Sequence, residues 1–156
     1  MGSSFILMAL AALSLRQEEP EPLIEFCPMY NVFFDQGSAQ LNPAARTMID
    51  NWALVARQLQ APRTRYTLEA VAVDDPHSPE ANLDLSWRRA RAIVDYLTHH
   101  GFAADRFRIR ARGQSDPPWT DPALSPERNR LQNYRATLSF EATASDWRRV
   151  FGNVHC

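Results

Sequence analysis

Residues 106–112, Arg-Phe-Arg-Ile-Arg-Ala-Arg, alternate strictly between cationic and apolar side chains. A period of two is the signature of a strand with one dry face and one wet face, so the chain needs a sheet that keeps one face in solvent. Three further stretches have strand composition: 29–35 (Met-Tyr-Asn-Val-Phe-Phe-Asp), 65–73 and 134–141. The end of the 65–73 run, Ala-Val-Ala-Val, is apolar without alternation, which suits a strand covered on both faces.

Between these runs the period changes to that of a helix. Asn42-Pro43 is an N-cap followed by a first-turn proline. Met48, Ile49, Trp52, Val55, Ala56 and Leu59 continue an apolar stripe to about Gln60, where Pro62 stops it. Residues 74–85, with Pro76 and Pro79, read as a loop. Ser86 then reads as the N-cap of a second helix from Trp87 to His100, closed by Gly101. A helical turn is expected at 126–132 and a short helix near 145–151. The order β-α-β-α-β-β predicts an α+β sandwich, with the two main helices packed on one face of a mixed four-stranded sheet.

The chain has 156 residues, 17 basic against 18 acidic, and a net charge of -1. That balance, without a basic run, gives no reason to expect nucleic acid as a partner. Every cation is arginine; lysine is absent. Arginine suits bidentate pairing with carboxylates. The apolar run 5–15 is too short to span a membrane and is similar to the core of a secretory signal. The expected organisation is a signal at 1–15, an acidic, proline-rich linker at 16–27, a domain at 28–141 and a tail at 142–156. Cys27 and Cys156 are either a disulfide or two separate thiols; the sequence gives no distance between them.

On this reading Arg88 and Arg89 fall in the first turn of the second helix, where backbone N–H groups already create positive potential. An anion should compensate them. It is either internal, Asp74 or Asp75, or a carboxylate on a ligand. An aspartate beside an arginine makes a socket for a zwitterionic head group, the acid accepting an ammonium and the guanidinium clamping a carboxylate. The alternative is a purely structural pair tying the loop to the helix. Nothing marks catalysis: Gly-x-Ser-x-Gly is missing and Ser86 is taken up as a cap. Asp74, Asp75 and His77 lack a fourth metal ligand, so neither cofactor nor metal is expected. Trp87 and Trp119 are aromatic platforms that could stack on sugar rings, against a simpler packing role.

The central run resembles a known family. Val73-Asp74, Asn82, Leu85-Ser86 and Arg89-Ala90 follow the register of a motif that reads Thr-Asp, then Asn eight residues on, then Leu-Ser-x-x-Arg-Ala. Gly101, Arg106, Gly113, Ser115 and Pro117 match a second motif, and Arg130, Asn133 and Arg135 a third. On these residues 29–141 resemble the C-terminal domain of OmpA, the peptidoglycan-binding module also found in Pal and MotB. The resemblance implies an exported, non-enzymatic protein of the Gram-negative envelope that binds the meso-diaminopimelate of the peptidoglycan stem peptide, with other envelope proteins as further partners. By the same resemblance Asp74 takes the ligand ammonium and Arg89 its carboxylate, Asn82 braces the loop, and Arg135 lines the site. The chain departs from the pattern at Val71-Ala72-Val73, where the family has Gly-His-Thr, and at His77, Ala111, Tyr134 and Thr137.

Overall fold

The computed structural model describes residues 19–59, 63–73, 77–114 and 121–153. The apolar run 5–15, Asp74, Asp75, Trp119 and Cys156 lie outside them. Strand β1 (Leu23–Phe33) is followed by helix α1 (Pro43–Gln58), β2 (Arg65–Val71), α2 (Pro79–His99), a 3-10 turn (Ala104–Arg106), β3 (Phe107–Gly113), α3 (Pro126–Gln132), β4 (Arg135–Thr143) and α4 (Ala144–Phe151). The four strands form one mixed sheet in the order β1-β4-β2-β3, in which only β2 and β3 run parallel. The α+β architecture expected from the element order is what forms.

Three helices begin in the same way. Asn42 accepts from Ala45 N–H at 2.8 Å, Ser78 from Ala81 N–H at 3.3 Å and Ser125 from Arg128 N–H at 3.3 Å, and each cap is followed by a proline at N1. Proline fits there because its missing N–H would have no helical partner, and its fixed φ is already helical. This rule relocates the start of the second helix. Pro79 does not end a loop; it opens α2, with Ser78 as cap and Glu80 in the first turn. The helix is 21 residues long, and both Ser86 and the Arg88–Arg89 pair sit in its interior. Its end is as expected: His100 is the cap, and Gly101 takes the positive φ of 92° that stops it.

Tyr66, Leu68 and Ala70 of β2 and Ala136, Leu138 and Phe140 of β4 form the buried face of the sheet. The helices bring Ile49, Trp52 and Ala56 from α1 and Ala90, Ile93 and Leu97 from α2 against it. Trp52 is the centre of this layer, stacked on Phe140 at 5.2 Å and edge-on to Tyr66 at 5.0 Å. On the opposite face β3 exposes Arg108, Arg110 and Arg112, as the alternation requires. The end of β2 is covered on both faces as expected, Ala70 being buried on the helix side, while Glu69 before it faces the open side, more than a third exposed. Val71 and Ala72 are buried where the strand runs into the chain that follows it.

β1 starts six residues before the predicted strand, and Leu23 to Phe26 pair with β4. Part of the expected linker is therefore ladder. Glu21, just before it, accepts the Ser145 backbone N–H at 3.1 Å in the first turn of α4 and also the Ser145 hydroxyl.

Candidate functional site

Asn82, Ser86 and Arg89 are spaced i, i+4 and i+7 along α2, which puts them on one face. All three are buried, at 1%, 0% and 0% exposure. A polar seam of this kind inside a helix interface requires partners for each group, and the surrounding loops supply them.

Ser86 is not a cap. Its hydroxyl donates to the Leu83 carbonyl at 2.7 Å and accepts the Gly113 N–H at 3.0 Å. Gly113 ends β3 with φ of 56°, and its carbonyl accepts from Ala72 N–H at 2.8 Å. A Cβ at Gly113 would lie 2.9 Å from the backbone nitrogen of Leu83. So glycine is needed there twice over, for its φ and for the close approach of two backbones. Through this one residue the ends of β2 and β3 are tied to the first turns of α2.

Arg89 carries the seam further. Its Nε donates to the Ser38 carbonyl at 2.9 Å, Nη2 to the Asp35 carbonyl at 3.1 Å and Nη1 to the Val71 carbonyl at 3.3 Å. The guanidinium also lies over the Phe34 ring at 5.2 Å and the Tyr134 ring at 5.7 Å. Burying a cation is costly unless hydrogen bonds and polarisable groups replace its water. Here the β1–α1 loop, the end of β2 and the start of β4 do so together. Tyr134, one of the departures from the resembled pattern, presents an aromatic face to Arg89. The helix N-terminus is not involved, since Arg89 lies well inside α2. The expectation of two cations in a first turn is overturned with the helix start on which it rested. Arg88, on the exposed side, makes an ordinary i,i+4 pair with Asp84 at 2.8 Å.

The sequence-predicted residues therefore divide. Asn82 and Arg89 share one buried face of α2. Asp74 lies outside the described residues, three positions beyond Val71, whose carbonyl Arg89 holds. Arg135 is not brought into this group. Its neighbours Tyr134 and Ala136 face the helices, so strand alternation turns Arg135 to the open side of the sheet. There it donates to the Gln132 carbonyl. Burial pushes its guanidinium below the usual arginine value, and the Glu69 carboxylate opposes the shift. Ser86 and Gly113 are the residues that sequence reasoning missed. The signal was present: Ser86 continues the stripe of Asn82, Leu85, Arg89 and Ala90 once the helix is begun at Ser78. Trp87 is 44% exposed in the middle of α2.

A sequence model of the OmpA family matches residues 33–130, from the end of β1 into α3. The chain belongs to the OmpA family. Outer membrane protein A of Yersinia pseudotuberculosis is 29% identical over 101 residues, which are 63% of this chain and 28% of that protein. The chain thus spans little more than a quarter of that relative. Solved structures share the fold. The peptidoglycan-associated lipoprotein from Burkholderia pseudomallei matches with a TM-score of 0.59 at 22% identity, over 71% of this chain and 89% of that one. The OmpA-like domain of FopA1 from Francisella tularensis gives 0.61 at 18%, over 80% and 83%. The C-terminal domain of Helicobacter pylori MotB gives 0.59 at 20%, over 77% and 90%. The matched span contains the whole Asn82–Ser86–Arg89 seam and Gly113. Among the described residues, no helix is long and apolar enough to cross a membrane.

Proposed function

We propose that this domain binds peptidoglycan non-covalently and without catalysis, in the periplasm of a Gram-negative envelope. The ligand is the meso-diaminopimelate of the stem peptide, with Asp74 taking its ammonium and Arg89 its carboxylate. Membership of the OmpA family supports the polymer. The observation that carries the residue assignment is the bond between Arg89 and the Val71 carbonyl. It holds the guanidinium at the root of the chain segment on which Asp74 lies. Asn82 lies on the same buried face of α2, two turns before Arg89, while Arg135, on the open face, is left out of the pair. Because Arg89 is fully buried, a ligand carboxylate reaches it only by displacing residues that cover it, and affinity is reduced by that cost.

The same burial favours a second reading. Three of the five guanidinium N–H groups go to backbone carbonyls, as in a structural or protein-interaction module that keeps the fold without the ligand and meets other envelope proteins instead. Sedimentation with purified peptidoglycan separates the two. The first reading expects the domain to pellet with the polymer, and Asp74→Ala to stay in solution with an unchanged melting temperature. A wild-type domain that stays in solution selects the second. Arg89 is a poor choice for this assay, because its removal disturbs the fold.

A further inference from the structure

The open face of the sheet is chemically unlike the seam. Among its described side chains, Arg65, Arg108, Arg110, Arg112 and Arg135 stand against Glu69 and Glu141. Two of the arginines already hold carboxylates from inner strands: Arg108 pairs with Glu141 at 3.3 Å and Arg112 with Glu69 at 3.1 Å. Arg110, between them and exposed, has no ion pair with any described residue. Arg108, Arg110 and Arg112 are all on β3, which is an edge of the sheet. Below them, a cavity of about 220 Å³ is lined by Arg65, Arg106 and Arg108, with Asp105 as its one acid.

Same-side residues of a strand repeat at about 6.6–6.8 Å. An extended peptide laid against the outer edge of β3 presents its own alternate side chains at that same repeat. Acids at those positions would meet the three arginines in register and continue outward the Arg–carboxylate pattern that Glu141 and Glu69 make inward. Main-chain hydrogen bonds to the edge would supply affinity, and the arginines would select charge and spacing. Arginine forks suit carboxylates for this purpose. We propose that β3 is a docking edge for an extended acidic peptide with carboxylates at alternate positions, added to the sheet beside Arg108, Arg110 and Arg112. The inference does not rest on peptidoglycan binding, which would use the helix side of the sheet.

The test is an amide NMR titration of the full chain with a blocked peptide of roughly ten residues alternating Glu and Thr. Two peptides of equal length serve as controls, one with Glu-Glu-Thr-Thr blocks and one alternating Lys and Thr. The expected result is shifts concentrated in Phe107–Gly113 with the alternating acidic peptide, weaker with the block peptide and none with the lysine peptide. Arg110→Glu should weaken the acidic peptide about fivefold and gain affinity for the lysine one, with an unchanged melting temperature. The Asp74→Ala chain should bind the acidic peptide like wild type, so failure here and failure of the peptidoglycan reading remain distinct. Equal binding of the alternating and block peptides would overturn the proposal, as would shifts outside β3. So would the absence of binding, with Arg110→Ser making the chain self-associate: the arginines would then only guard an exposed edge against pairing with other copies.

Discussion

Arg89 and Arg110 are the same residue in opposite circumstances. One is fully buried in the middle of a helix, with three backbone carbonyls and two aromatic rings around it. The other stands on an open edge strand beside two arginines that already hold carboxylates. The buried one is part of how the loops are fixed in place. The exposed one contributes little to holding the molecule together and is accessible to a partner. Residue type and formal charge therefore say little about role; burial and the identity of the acceptors decide it.

The contrast is broken most severely at Arg89. Replacing it with Ala should cost about 3–5 kcal/mol, because three carbonyls lose a buried charged donor and a large side chain leaves a void. Chemical denaturation should show this as a lower midpoint with little change in slope. Arg89→Lys should recover only part of the loss, since an ammonium cannot reproduce a fork directed at Ser38, Asp35 and Val71. Next comes Gly113→Ala, expected to lose about 2–3 kcal/mol from a positive φ and from the 2.9 Å approach to Leu83. Ser86→Ala follows at about 1–2 kcal/mol, leaving the Gly113 N–H buried without its acceptor. Ser86→Ala combined with Arg89→Ala should cost measurably other than the sum if the seam acts as one network.

Arg110→Ser lies at the other pole and should change stability by no more than about 0.5 kcal/mol. A larger loss would mean that the open face supports the fold and would erase the contrast. The smallest effect is at Glu21. Its hydrogen bond from the Ser145 hydroxyl holds the carboxyl below the ordinary glutamate value. A lowered folded pKa adds stability above the ordinary carboxylate range, and that stability is lost as pH falls through the lowered value. An NMR titration should find Glu21 titrating below the ordinary glutamate value, and Ser145→Ala should raise it toward that value.

The periodicities that make the fold were plain in the sequence. The alternation of 106–112 announced the open face, Asn42-Pro43 placed the start of α1 to the residue, and 126–132 is α3. The start of α2 was misjudged because Pro79 reads as a breaker when its neighbours are acidic and polar, and Ser86 is an acceptable cap in isolation. Ser78-Pro79-Glu80 is the better start, and Ser125-Pro126-Glu127 repeats it at α3. That single displacement hid the seam, since a loop at 74–85 takes Asn82 off the helix that carries Arg89 and leaves Ser86 as its cap. The face that Arg135 takes is illegible for another reason. A linear motif gives its position in the strand, but which face it takes follows from the phase of Tyr134 and Ala136 in the sheet. Non-local tethers such as Arg89 to Ser38 or Gly113 to Ser86 leave no local signal beyond a polar residue on an apolar stripe.

A calorimetric titration of the domain with two muropeptides, one carrying meso-diaminopimelate and one carrying lysine at the same position, decides whether Asp74 and Arg89 form one ligand socket. The lysine form keeps the side-chain ammonium and lacks the carboxylate assigned to Arg89. The expected result is saturable binding of the diaminopimelate form, at least about tenfold weaker for the lysine form, and loss of both in Asp74→Ala. Equal affinity for the two forms, or heat from neither, would contradict it and leave Arg89 as a tether alone.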